Sequence, residues 1–338
     1  MKRRKFIWET TTGALGLGSS HFLWKNGQHP SENPNIAQVT QVGHRIEVYS
    51  KVVTRPIRVI LAADTHLWIN DERGDPYREY SDRMAGAYNQ TTHFLTGEKT
   101  DPATSFEKTL QLAEGIQVDL LALPGDTFSW PSEAAIEWAY EKLSRSGVPF
   151  AYVAGNHDWH YEGMPGPLNE LRKTWINKRL LPMYQGNDPM MAAYDIAGIR
   201  FLAMDNSTYE ISDPQLTFFK DMVKSGMPLI LLVHIPLYVP GSPVSFGCGH
   251  PDWNANTDRN FKIERRPRWP AFGHTSTTMS FYREVFTAPN LMGVFAGHIH
   301  RPSSGIINGK FQIVADDNAS GGYLDINFLP LSENNAFY

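Results

Sequence analysis

Pro149-Phe150-Ala151-Tyr152-Val153-Ala154 runs directly into Gly155-Asn156-His157-Asp158, and the fold turns on how these residues are read. An apolar run without alternation suits a strand buried on both faces, as in a parallel sheet covered by helices. The glycine turns the chain off the end of that strand. Beyond it stand a neutral amide oxygen, an imidazole that can carry a proton, and a carboxylate.

The same design occurs at four other places. Ile57 to Ala63 runs into Asp64-Thr65-His66, and Val118 to Pro124 into Gly125-Asp126. Pro228 to Val233 runs into His234, and Leu291 to Ala296 into Gly297-His298-Ile299-His300. In α/β sheets, ligands sit beyond the carboxyl ends of the strands. Five strand ends in one sheet are therefore expected to bring Asp64, His66, Asp126, Asn156, His234, His298 and His300 together. One such histidine would read as a core residue with a local partner. Five strand-end placements read as a metal site.

Histidines and carboxylates with one amide suit Mn, Fe, Zn or Ni rather than soft ions that want sulfur. Seven ligands are too many for one tetrahedral ion. They suit two ions sharing a carboxylate. Two metals about 3.5–4 Å apart can clamp the attacking and leaving oxygens of a phosphoryl displacement.

Composition bounds the rest. A chain of 338 residues, 41% hydrophobic and 20% charged, has ample material for one large α/β domain. Net charge is -4 with no basic block beyond the first residues, so no nucleic acid partner is expected. The single cysteine, Cys248, leaves no intrachain disulfide and no thiolate metal site.

Lys2-Arg3-Arg4-Lys5-Phe6-Ile7 followed by the mildly apolar Thr10 to Trp24 reads as an export signal over residues 1–25. Its arginine pair resembles a twin-arginine signal. Twin-arginine export machinery is thus an expected partner, and the expected location is periplasmic or extracellular. No Ala-x-Ala cleavage site appears, which also fits a segment retained as an anchor. Residues 26–40 read as a linker, 41–330 as a single catalytic domain, and 331–338 as a tail.

An edge strand is expected over His44 to Val53. Helices are expected over Thr104 to Gln117, Ser132 to Ser146 with Gly147 as its stop, Gly166 to Lys178, and Asp213 to Gly226. Further strands are expected over Ile199 to Met204, Phe311 to Asp316 and Tyr323 to Phe328. The β-α-β-α-β order in the first half calls for a parallel sheet with right-handed crossovers. Two long segments stand apart. Leu67 to Asp101 reads as a wall of the substrate pocket. Ile235 to Ser276 carries Arg259, Lys262, Arg265, Arg266 and Arg268, some of them candidates for substrate phosphate. His250 and His274 are expected at the surface.

The order and spacing of Asp64-x-His66, Gly125-Asp126, Gly155-Asn156-His157-Asp158, His234 and Gly297-His298-x-His300 resemble the signature of the calcineurin-like metallophosphoesterases. That resemblance implies an α/β fold built as a two-sheet β-sandwich flanked by helices, with the active site at the carboxyl ends of the strands. It implies that one ion takes Asp64, His66 and His300, the second Asn156, His234 and His298, with Asp126 shared. It gives His157 the role of general acid or transition-state stabiliser, oriented by Asp158.

Departures narrow the class. Residues Thr127 to Pro131 lack the Asp-Arg-Gly of protein Ser/Thr phosphatases. Ser129 stands where purple acid phosphatases carry a tyrosine ligand. Only 38 residues follow His300, too few for the second domain of many nucleotidases. Ile235-Pro236 replaces the Pro-Pro of many cyclic-nucleotide diesterases. The expected activity is hydrolysis of a small phosphomonoester or phosphodiester. The alternative is a silent relative that binds a phosphorylated ligand.

Overall fold

The computed structural model describes residues 37–87, 92–263, 265–266 and 271–331. The expected export signal, the linker before residue 37, Arg268 and the tail from residue 332 lie outside the described residues.

The described strands are β1 (Ala37–Val42), β2 (Arg45–Ser50), β3 (Ile57–Leu61), β4 (Leu120–Pro124), β5 (Phe150–Val153), β6 (Met191–Ile196), β7 (Ile199–Met204), β8 (Leu229–Leu232), β9 (Leu291–Ala296), β10 (Ser303–Ile307), β11 (Lys310–Val314) and β12 (Leu324–Pro330). The helices are α1 (Arg78–Ala87), α2 (Pro102–Gly115), α3 (Glu133–Ser146), α4 (Leu168–Trp175), α5 (Asp213–Lys224), the short α6 (Asn260–Ile263) and α7 (Ser276–Thr287). Local sequence explains several boundaries. Asp101 caps α2 by accepting the Thr104 N–H, and Ser132 caps α3 by accepting that of Ala135. Gly147 closes α3 in the left-handed conformation.

Two six-stranded sheets result, in the orders β1-β2-β12-β3-β4-β5 and β10-β11-β9-β8-β7-β6. β3, β4 and β5 run parallel in the first sheet, and β7, β8, β9 and β11 run parallel in the second. Val59, Leu61, Ala122, Ile326 and Phe328 share one buried core with Phe201, Ile230, Leu232, Phe295 and Ile313 of the other sheet. The alternate residues face outward. Ile60, Leu121, Leu123 and Tyr152 pack with Phe106 and Leu110 of α2 and Ile136 and Leu143 of α3. Leu202, Leu231 and Val294 pack with Phe219 of α5 and Phe281 and Val285 of α7. Each central strand is therefore buried on both faces, which is why its sequence is an unbroken apolar run.

The expected α/β sandwich with flanking helices is observed. Three details differ from the expectations. The five ligand-bearing strand ends belong to two sheets: β3, β4 and β5 to the first, β8 and β9 to the second. The linker stops at Ala37, where β1 begins, and β2 lies between β1 and β12 instead of at an edge. β6, β10 and the helices α1, α6 and α7 were not expected either. β1, β6 and β10 are all sheet edges, so each has one neighbour and little of the apolar run that marks a central strand.

Phe328 is fully buried between the sheets, edge-on to Phe201 with ring centroids 5.6 Å apart. Phe328→Ala is expected to lower unfolding stability by about 3–5 kcal/mol, read as a fall in the urea midpoint at unchanged m-value.

Candidate metal centre

The strand ends are shaped by an unusual backbone. Asp64, His66, Asp126, His298 and His300 all have φ between 49 and 76°. Left-handed backbone is uncommon for residues other than glycine, and each instance costs about 1–3 kcal/mol. It breaks the up-down alternation of the strand, so Asp64 and His66 can serve one point in space. Hydrogen bonds hold the turns in place. Asp64 and His66 donate their N–H groups to the carbonyls of Gly125 and Asp126, at 3.1 and 2.9 Å. Ser129 Oγ donates to the His66 carbonyl at 2.8 Å.

Two glycines permit close approach. A Cβ on Gly125 would stand 2.5 Å from His234 Nδ1, and one on Gly297 would stand 2.5 Å from Asp64 Oδ2. Neither spacing is possible for a real side chain. The glycines ahead of Asp126 and His298 are therefore there to bring the two sheets' strand ends together.

The donor atoms form two groups. Asp64, His66 and His300 make one, and Asp126, His234 and His298 the other. His66 Nε2 is 3.1 Å from His300 Nε2, which is 3.4 Å from Asp64 Oδ1. His234 Nε2 is 3.1 Å from both Asn156 Oδ1 and Asp126 Oδ2, and 3.3 Å from His298 Nδ1. Asp126 Oδ2 also lies 3.9 Å from His66 Nε2, so it stands between the groups. Ligands about 2.1 Å from one ion sit about 3.0–3.4 Å from each other, in octahedral or tetrahedral array. The spacings match. Asp64 Oδ1 is buried and faces His300 Nε2 at 3.4 Å, while Oδ2 accepts the His298 N–H at 2.7 Å. Such an oxygen fits a cation. All seven residues expected from the sequence thus converge.

Partners outside the groups fix the imidazoles. His234 Nδ1 lies 3.0 Å from the Pro124 carbonyl, so the proton sits on Nδ1 and Nε2 faces inward. Charge divides each group in the same way. Burial pulls the His234 imidazole down, but the carboxylates of Asp126 and Asp64 more than reverse this, and it stands at about 9. His300 is raised too, the pull of Asp64 outweighing burial. Burial, together with cationic neighbours, drives His66 and His298 well below the usual range. In each group a carboxylate thus raises one imidazole, while burial lowers the other.

His157 is buried and its ring stands edge-on to His66, centroids 5.1 Å apart. Its N–H donates to Asp126 Oδ1 at 2.8 Å. The Asp158 carboxylate accepts three backbone N–H groups, from Asp126, Phe128 and Gly155, at 2.9, 2.7 and 2.7 Å. Its visible work is to tie the β4 loop to the β5 loop that bears His157. The sequence reading gave it a different task, that of orienting the His157 ring.

Supporting residues escaped the sequence reading. Asn206, beyond β7, brackets Ile235: its Nδ2 donates to the Ile235 carbonyl at 2.7 Å and its Oδ1 accepts the Ile235 N–H at 3.0 Å. That fixes the residue after His234. Asn318 donates its N–H to the Ala63 carbonyl at 2.8 Å and its Oδ1 accepts from Thr65 at 3.1 Å. The signal for Asn206 was present, a polar pair after an apolar strand. Asn318 had none.

The two long segments take different places. Leu67, Trp68, Ile69, Lys99 and Thr100 line an open cavity of about 610 Å³. The arginines of that segment face protein carboxylates: Arg73 with Glu137, Arg78 with Asp75, and Arg83 with Glu162. In the second segment Arg266 is buried against Asp258 at 2.9 Å. His250 and the His274 side chain are buried, not at the surface, because the segment folds over them. Cys248 is buried, and burial pushes its thiol up to about 12.

A sequence model described as calcineurin-like phosphoesterase matches residues 57–302, and the chain belongs to that family. That family is one of phosphoester hydrolases. Over 56 residues the chain is 41% identical to a probable cyclic nucleotide phosphodiesterase from Psychrobacter sp. (strain PRwf-1), an alignment spanning 16% of each protein. Among solved structures, a dimetal phosphatase from Danio rerio is 12% identical at a TM-score of 0.49, covering 78% of this chain and 88% of that one. A purple acid phosphatase from yellow lupin (Lupinus luteus) is 13% identical at 0.46, covering 83% and 48%.

Because a metal must displace the His234 proton, filling the second group at pH 7 is expected to release a proton. Affinity should rise with pH until about 9. Calorimetric titration with Mn or Zn in buffers of different ionisation enthalpy reads this directly, and Asp126→Ala should abolish the event.

Proposed function

We propose that the protein hydrolyses a small phosphomonoester or phosphodiester, outside the cytoplasm, by in-line displacement at phosphorus. One ion is assigned to Asp64, His66 and His300. The second is assigned to Asn156, His234 and His298, with Asp126 shared. The observation carrying this reading is the position of Asp126 Oδ2 between two donor groups, 3.1 Å from His234 Nε2 and 3.9 Å from His66 Nε2. Ions bound there would lend Lewis acidity to the phosphoryl group and lower the pKa of water at the site.

The chain's own residues do the rest. His157 stands beside both groups and is assigned to pass a proton to the leaving oxygen. Its backbone bond to Asp126 holds it at a fixed distance from the shared carboxylate. Asp158 keeps the two loops in register through its three backbone bonds. The cavity lined by Leu67, Trp68 and Lys99 begins one residue beyond His66 and is assigned to the leaving group.

The test pairs two substrates, bis-p-nitrophenyl phosphate and p-nitrophenyl phosphate, on protein loaded with Mn, Fe, Zn or Ni. His157→Ala is expected to keep both ions and lose about 10²–10⁴-fold in rate. Normal turnover by that variant would remove His157 from the mechanism. Preference for the diester would define a phosphodiesterase, and preference for the monoester a phosphatase.

The export part of the proposal rests on Lys2 to Ile7 and the Thr10 to Trp24 run. Changing Arg3 and Arg4 to lysine is expected to leave the protein in the cytoplasm on cell fractionation. Unchanged export would exclude the twin-arginine route.

A further inference from the structure

We propose that Tyr209 is a positioning residue for the second ion, and that the 235–276 segment exists in part to hold it against His298. This rests on the proposed assignment of His298 to that ion.

Tyr209 Oη lies 3.0 Å from His298 Nε2, and the two rings meet edge-on with centroids 5.5 Å apart. The other ring nitrogen, Nδ1, faces His234 Nε2 at 3.3 Å. A neutral imidazole carries one proton. For Nδ1 to offer its lone pair to a metal, the proton must sit on Nε2, where the tyrosine oxygen accepts it. Tyr209 thus does for His298 what the Pro124 carbonyl does for His234. Such outer partners fix ligand tautomer and ring orientation.

The protein invests in this placement. Tyr209 is buried and has φ of 64°. Positive φ in a bulky residue is a genuine outlier that persists only where its surroundings over-determine it. The surroundings come from both sides of the chain. Upstream, the Tyr209 N–H donates to the Asn206 carbonyl at 2.7 Å, and Asn206 itself brackets the residue after His234. The end of β7 bears no ligand, yet it holds the two histidines of the second group.

The other neighbours come from the insertion. Trp253 stacks on Tyr209, centroids 5.5 Å apart and planes 18° apart. His274 stacks on Trp253 at 4.1 Å and 10°. Its Nδ1 is 3.2 Å from Glu210, the residue after Tyr209, which closes the circuit. The Arg266 guanidinium lies 5.3 Å from the Tyr209 ring centre, held by Asp258. Gly247 passes so close that a Cβ would collide with the Tyr209 ring. Packing alone would need neither the left-handed backbone nor a hydroxyl aimed at a ligand.

Tyr209→Phe keeps the ring and removes the oxygen. Metal affinity is measured by competition with a chelating dye, on chelated wild-type and variant protein, and the Mn-loaded forms are compared by electron paramagnetic resonance. The expected result is binding of one ion about 10–100-fold weaker, the other unchanged, and loss of the coupled two-ion Mn spectrum at limiting metal. Equal affinity for both ions in wild type and variant overturns the inference, whatever the turnover. If wild type itself binds only one ion, the assignment of the second group fails, and this inference with it. Should Tyr209→Phe not fold, Trp253→Phe thins the stack behind the ring. It is expected to weaken the same ion in the same direction, and unchanged affinity there overturns the inference equally.

Discussion

The structure depends on holding five non-glycine ligand residues in left-handed backbone. At about 1–3 kcal/mol each, the strain comes to roughly 5–15 kcal/mol. That equals the whole net stability of an ordinary domain, about 5–15 kcal/mol. The chain tolerates it because strands buried on both faces lead into the turns, and because the turns clamp one another. Asp64 and His66 hang on the carbonyls of the β4 loop, and Asp158 gathers three N–H groups from two loops. The His298 N–H on Asp64 Oδ2 then joins the second sheet to the first.

Electrostatics follows from that geometry. His66, His234, Asp64 and Asp126 are almost wholly buried, with His298 and His300 partly buried beside them, in a space where unpaired charge is costly. The carboxylates of Asp126 and Asp64 raise His234 and His300 against the pull of burial. A cation bound there would offset the same carboxylates and would displace the His234 proton. The site is thus arranged to exchange protons for cations, which ties metal loading to pH.

The 235–276 segment illustrates how an insertion can act on a centre without supplying a ligand. In the sequence its basic residues are candidates for substrate phosphate, and its two histidines, His250 and His274, are expected at the surface. In the folded chain Trp253, Arg266 and His274 are buried around Tyr209. The first long segment behaves differently. It lines an open cavity that includes Leu67, Trp68 and Lys99, and spends its arginines on protein carboxylates.

The sequence by itself pointed to the central strands, to α2, α3, α4 and α5, and to seven candidate donor residues that the fold brings together. Apolar runs ending in Asp, Asn or His are local patterns, and a strand buried on both faces has no choice but to be apolar. It did not determine that the strand ends come from two sheets, because pairing partners are set by contacts far apart in the chain. Nor did it show β1, β6 and β10, edge strands with too little burial to leave a pattern. Only the tertiary structure decided the work of Asp158, Asn206, Asn318 and Tyr209. Their partners lie in other loops, and a hydrogen bond across tens or hundreds of residues leaves no spacing to read.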